Sequence, residues 1–234
     1  MSDQGCDMES QSLLLTGFEP YGGRGVNPSG EVVKSLDGSR INGYEVVGRT
    51  IPVSFKTIRQ RLEALIKDCR PAAVVSLGLW PGEPVIRLER FAVNLTDFEI
   101  PDNDGLYLDR GNISAEGEVA LRATLPLRQI VAQMLAAGIP ARISNSAGTF
   151  LCNATLFCAL QTIKDLELTT LCGFVHLPYL PGQVAELIAD LKKERQSELH
   201  QRADLASMHL ATMTRAVEIS LQTTVDQLKK TNHS

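Results

Sequence analysis

The chain has 234 residues, 44% of them hydrophobic and 21% charged, with a formal net charge of −4 at pH 7. That composition is ordinary for a globular protein of one large domain. It gives no electrostatic case for nucleic acid, and no basic run or basic–aromatic interleave is present. No apolar stretch approaches the roughly 20 residues needed to span a bilayer, so a membrane protein is not expected. Residues 1–11 are polar and acidic, without the basic start and apolar centre of a secretory signal, and are expected to form a loose leader. Residues 12–234 are expected to form one domain. The five cysteines, Cys6, Cys69, Cys152, Cys158 and Cys172, contain no CxxC pair. They suggest neither a disulfide framework nor a zinc site, and they favour a reducing compartment.

In chain order, Ser12–Thr16 reads as a buried strand ending at Gly17. Gly17-Phe18-Glu19-Pro20-Tyr21-Gly22-Gly23 follows, a glycine-rich loop carrying two aromatics. No Gly-Lys-Ser/Thr and no GxGxxG accompanies it, so phosphate cradling has little support. Phe18 and Tyr21 read either as walls for a flat ligand or as core packing beneath the loop. Asn27-Pro28-Ser29 starts a helix, with Asn27 as cap and Pro28 in the first turn, running to about Leu36. Tyr44–Val53 reads as a strand, Ser54 caps a helix ended by Pro71, and Ala72–Leu77 is a continuous apolar strand closed by Gly78. Val85–Leu95 suggests an extended arm or hairpin, with Glu89 between apolar neighbours and two arginines. Asp97–Gly117 is a long polar loop of the kind that serves function or an interface. Its Asp102-Asn103-Asp104-Gly105 run lacks the downstream spacing of a calcium loop.

A helix is expected over Pro126–Ala137, with Ile130, Val131, Met134 and Leu135 on its apolar face. Ala141–Ser144 is a short strand, and a turn with Gly148 leads to an apolar helix from Leu151 to Ile163. Cys152 thus falls at a helix N-terminus, where free N–H groups and the macrodipole favour a thiolate. Leu171–His176 is a further buried strand with His176 at its carboxyl end, where α/β sheets put their sites. Helices from Val184 to about Gln201 and from about Leu205 to Leu228 close the chain. The alternation argues for an α/β fold, a three-layer sandwich with a twisted, mostly parallel central sheet and helices on both faces. Cys152 and His176, on adjacent-looking strand ends, form a candidate nucleophile–base pair, with Glu89 on its arm as the group that orients the imidazole.

Several stretches together resemble the pyroglutamyl peptidase I, or pyrrolidone-carboxylate peptidase, family. They are Leu15–Gly23 with Asn27-Pro28-Ser29, Glu89-Arg90 followed by Ala92–Leu95, Ile100–Asn103, Ala147–Asn153 and Phe174–Pro181. The match runs from Leu13 to about Ala216. The resemblance implies catalytic roles for Glu89, Cys152 and His176 and places Phe18 and Tyr21 around a pyrrolidone ring, with Asn27, Phe150 and Leu151 as further pocket positions. It implies a cytoplasmic cysteine exopeptidase that needs no cofactor or metal, acts on peptides with an N-terminal pyroglutamate, and assembles as a homo-oligomer, a tetramer or dimer. Two departures stand near the expected site. Many members carry Gly-Gln-Ala-Gly-Gly-Arg where this chain has Gly78-Leu79-Trp80-Pro81-Gly82-Glu83, and many carry Arg where Glu99 stands. Trp80 reads as part of a lid, a subunit contact or core filling. The competing functional reading is a catalytically altered homologue, either a thiol amidase for another small acyl group or a binding protein.

Overall fold

The computed structural model describes residues 12–193 and 205–231; the expected leader and the expected end of the helix reaching Gln201 lie outside the described residues. The chain runs β1 (Ser12–Phe18), α1 (Pro28–Leu36), β2 (Arg40–Ile41), β3 (Tyr44–Ile51), α2 (Phe55–Cys69), β4 (Ala73–Leu79), β5 (Ile86–Glu89), β6 (Phe91–Val93), β7 (Ala120–Arg122), α3 (Leu127–Ala136), β8 (Ala141–Ser144), α4 (Leu151–Asp165), β9 (Leu171–Leu177), α5 (Pro181–Lys193) and α6 (Leu210–Thr231).

Seven strands form the central sheet in the order β2-β3-β1-β4-β9-β5-β8. From β3 to β9 every pairing is parallel. The next strand, β5, runs antiparallel to β9 and parallel to β8, so the sheet reverses direction beside its centre as well as at its edge, where β2 pairs antiparallel with β3. The sequence leaves the sheet on opposite sides of β1 at β3 and β4, a topological switch point of the kind that opens a crevice at the carboxyl ends of the strands.

Alternation along the buried strands separates two cores. Leu13, Leu15, Val75, Leu77, Val175 and Leu177 face one way and meet apolar residues of α1, α3 and α6. Leu14, Val74, Cys172 and Phe174 face the other way and meet α2 and α4. Strands β1, β4 and β9 are largely apolar on both faces because each face is covered.

Local signals act largely as the sequence suggests. Asn27 caps α1 by accepting from the Ser29 N–H at 3.1 Å, and Pro28 occupies the first turn. Ser54 precedes α2, but its hydroxyl donates to Asp104 Oδ2 at 2.6 Å, and Asp102 Oδ2 accepts the Phe55 N–H at 2.9 Å. The cap therefore comes from the distant polar loop. Asn103 of that loop also donates to Glu19 Oε1 and Pro20 O, at 2.8 and 2.9 Å. Its acidic run is a brace between β1's exit and α2.

Four expectations are corrected. Strand β1 continues through Gly17 and Phe18, which belong to the sheet and not to a loop. Strand β4 passes through Gly78 to Leu79. The last helix begins at Leu210, not near Leu205. Most consequential, the stretch expected as an arm supplies β5, an interior strand, before β6 leaves to pair with β7 in a separate two-stranded sheet.

Candidate active site

The antiparallel pairing of β5 with β9 sets Arg87 opposite His176 and Glu89 opposite Phe174. Glu89 therefore lies in the sheet, fully buried, and is not a surface charge on an arm. Its Oε1 is 2.8 Å from Nδ1 of the equally buried His176. A carboxylate only accepts, so this contact places the neutral imidazole's proton on Nδ1 and leaves Nε2 as the acceptor. Among the described residues His176 Nε2 has no hydrogen-bond partner.

Cys152 is the second residue of α4. Gly148, at φ +78°, makes the turn that precedes it. Asn153 then fastens the helix start: its buried amide accepts the Val93 N–H at 2.9 Å and donates to Val93 O and Leu95 O at 2.8 and 3.1 Å. Thr149 adds a second tie through Asp97 O. The sulfur reaches the sheet over Gly78, which pairs with His176 in register. A Cβ added at Gly78 would stand 2.7 Å from Cys152 Sγ and 2.8 Å from Phe174 Cζ. The bare glycine is what lets the thiol settle between these strands.

The sequence expectation that Cys152 and His176 extend from adjacent strands is corrected: β5 lies between β8 and β9, and β8 points against β9. The segment after Ser144 supplies the approach, and the intervening strand carries the carboxylate.

Electrostatics follow from burial. The Cys152 thiol is pushed up to about 12, first by desolvation and then by the Glu89 charge. Desolvation holds His176 below its ordinary value, opposed by its hydrogen bond to Glu89. At neutral pH both environments favour a thiol beside a neutral imidazole, so ionisation of the sulfur requires a proton acceptor at hand.

The aromatic wall is built from separate elements. The Tyr21 and Phe150 rings lie 6.1 Å apart, and Phe98 meets Phe150 edge-on at 4.7 Å. The Tyr21 hydroxyl is driven strongly toward its neutral form, by burial first and then by Cys152. Phe18 is buried beneath. Asn27 spends its amide on Glu19 O at 2.9 Å and on the backbone and hydroxyl of Ser29, at 3.1 and 2.8 Å, and Leu151 packs wholly inside the α2–α4 core. These two shape the loop and the helix start from behind.

Two residues were not picked out from the sequence. Asn153 carried one signal, an amide in an otherwise apolar helix start. Arg87 carried none, since an arginine in an alternating strand reads as solvent-facing. Trp80 is half-buried at the exit of β4, its ring edge-on to His176 at 4.9 Å and under the Arg87 guanidinium at 3.8 Å. It is therefore a wall of the site.

The pyroglutamyl peptidase family model matches residues 11–227. The chain belongs to the pyroglutamyl peptidase family. It is 37% identical to the pyrrolidone-carboxylate peptidase of Thermococcus litoralis over 220 residues, 94% of this chain and 96% of that one. It is 39% identical to the Pyrococcus furiosus enzyme of the same name over 176 residues, 75% of this chain and 85% of that one. The solved pyrrolidone carboxyl peptidase structure from Thermococcus litoralis superposes with a TM-score of 0.85 at 37% identity, covering 94% of this chain and 95% of that chain. A mutant of the Pyrococcus furiosus protein gives 0.86 at 33% identity, covering 93% and 99%. Pyroglutamyl peptidases of this family are cysteine peptidases, and this chain is an enzyme of that class. No helix among its described residues is long and apolar enough to cross a membrane.

Proposed function

We propose that Cys152, His176 and Glu89 hydrolyse the amide bond that follows an N-terminal pyroglutamyl residue. The observation that carries the reading is the buried 2.8 Å contact of Glu89 with His176 Nδ1, with Nε2 unpartnered among the described residues and the Cys152 sulfur over the glycine that pairs with His176. Nε2 takes the thiol proton as Sγ attacks the exocyclic carbonyl carbon. The tetrahedral intermediate collapses, the C–N bond breaks, and the same proton passes to the departing amine. Water then attacks the thioester with His176 as base, the S–C bond breaks, and free pyroglutamate leaves. Glu89 fixes the tautomer and offsets the imidazolium charge in both halves. First-turn N–H groups of α4 beside Cys152 supply donors to the oxyanion; one such donor is typically worth about 2.7–4 kcal/mol of barrier.

A lactam ring is neutral and flat and carries no ammonium group, so its slot needs apolar walls more than a counter-charge. Tyr21 and Phe150 supply those walls, with Phe18 behind them. The one sheet shared by both cores supports a single catalytic domain from residue 12 onward. We extend the reading to a cytoplasmic homo-oligomer, a dimer or tetramer. The exposed apolar side chains of Tyr107, Val119 and Ile100 support the assembly, which light scattering checks.

The deciding experiment is cleavage of a pyroglutamyl fluorogenic amide. Iodoacetamide should abolish cleavage, and Cys152→Ala should have no measurable turnover. Full activity in Cys152→Ala would end the mechanism; cleavage of other acyl amides but not pyroglutamyl ones would move the substrate class.

A further inference from the structure

Arg87 is the strongest feature that the proposed mechanism leaves unused. It is 7% exposed, and its partners surround it on every side. Nε lies 3.2 Å from Glu89 Oε1, the same oxygen that receives His176 Nδ1. Among the described residues that Nε makes no aligned hydrogen bond, so Arg87 acts on Glu89 through charge. Nη1 lies 3.4 Å from Glu83 Oε2. Nη2 donates to Ser144 Oγ at 2.6 Å and Ser146 O at 2.9 Å. The guanidinium face lies over Trp80, the ring that touches His176. Glu83 in turn binds Arg142 through both carboxylate oxygens, at 2.9 and 3.1 Å. Two carboxylates thus meet two guanidiniums in one cluster around the imidazole.

We propose that Arg87 is a positioning residue for the Glu89–His176 couple. Its charge offsets that of Glu89 at the imidazole and so sets the pH range in which His176 can accept the thiol proton. The proposal rests on the roles given above to Cys152, His176 and Glu89. A buried carboxylate with no cation beside it would hold a proton on the imidazole, or take one itself. A protonated couple cannot serve as base. Arg87 Nε, 3.2 Å from the oxygen that meets His176 Nδ1, sets a positive charge against that of the carboxylate at the imidazole. The groups that bear on the couple are Arg87 and Glu89 on β5, Glu83 on the β4–β5 connection, Arg142 on β8 and Cys152 on α4. The formal charges of the first four sum to zero.

Removing a cation raises the proton affinity of the couple; removing an anion lowers it. The two effects must therefore have opposite signs, which a purely structural role for the cluster would not produce. The test follows the pH dependence of kcat/KM on a pyroglutamyl amide and, without substrate, the site-resolved alkylation of Cys152 by iodoacetamide. Arg87→Gln should move the acid limb of both profiles upward by about one pH unit, a tenfold change in proton affinity, with kcat falling and KM within about twofold of wild type. Glu83→Gln should move the limb downward. Arg87→Lys, which keeps the charge, should hold the limb near the wild-type position. An unmoved limb in Arg87→Gln, or shifts of the same sign in both Gln variants, overturns the proposal and leaves the triad standing. If Arg87→Gln does not fold, Glu83→Gln decides: a downward shift supports the proposal and no shift ends it. A wild-type alkylation profile with no acid limb would instead bring down the triad itself.

Discussion

The two flanks of β9 solve opposite problems with the same backbone. On one side β4 runs parallel to it, and residues 73–79 are buried and almost wholly apolar. The polar exception, Ser76, receives the Thr16 hydroxyl at 2.8 Å. On the other side β5 runs antiparallel and brings Arg87 and Glu89 into the interior. The first flank is stable through burial and tolerates no charge. The second carries charges that are tolerable only as a set, because each buried ion needs its partner. Chemistry is placed on the second flank, and the first holds it in register.

The largest expected effect breaks the charged flank. Glu89→Gln keeps the shape but not the charge. It should lower kcat on a pyroglutamyl amide by about 10²–10⁴-fold, the range for disabling the general base that Glu89 orients, while near-UV circular dichroism stays native. An unchanged rate would leave Glu89 structural. On the apolar flank the expected cost falls on stability. Leu77→Ala removes a fully buried side chain and should cost about 2–5 kcal/mol in denaturant unfolding, with the pH–rate profile unmoved.

Gly78 joins the two flanks and tests whether they are coupled. Gly78→Ala forces a carbon against Cys152 Sγ and the Phe174 ring. Overpacking of this kind costs about 1–3 kcal/mol, whereas a 1 Å displacement of a reacting group costs roughly 10²-fold in rate. Tenfold in rate is about 1.36 kcal/mol, so a 10²-fold loss matches the upper end of that packing cost and activity should fall at least as far as stability. A rate that stays near wild type while stability falls would mean that the sulfur has slack.

The smallest effect is a pH dependence of folding. Burial raises Cys158 to about 11 and Cys172 to about 12 from an ordinary 9.0. Above pH 9.0 the unfolded chain releases protons that the folded thiols keep, so stability should decline progressively from there toward about 12. His176 acts at the other end. Its folded value lies below the ordinary 6.5, so the unfolded chain binds its proton first and stability should fall as pH drops below 6.5. Urea midpoints measured across pH, with Cys172→Ala as control for the alkaline limb, check both.

The sequence made the apolar flank legible because its cause is local. A run such as Ala-Ala-Val-Val-Ser-Leu has one use in an α/β protein. Caps and turns around Asn27, Gly148 and Cys152 were legible for the same reason. Strand β5 was not. Ile-Arg-Leu-Glu alternates like a strand with one wet face, and only the meeting of Arg87, Glu89, Glu83 and His176, which lie up to 93 positions apart in sequence, makes that face dry. Strands β2 and β7, of two and three residues, have too few positions for any period to show. Asp102 as the cap of α2 was hidden likewise, since capping is ordinarily sought next to the helix and not 47 positions away.

The imidazole and its carboxylate hang from one ladder, a single rung between them, whereas the sulfur rides on a helix start fastened by side chains. On warming, the ladder should hold longest and the fastenings slip first. An overheated sample would then lose its nucleophile's aim while the proton relay behind it still stood. Reinforcing the Asn153 and Thr149 tethers, more than deepening either core, is the route to a form that keeps working when hot.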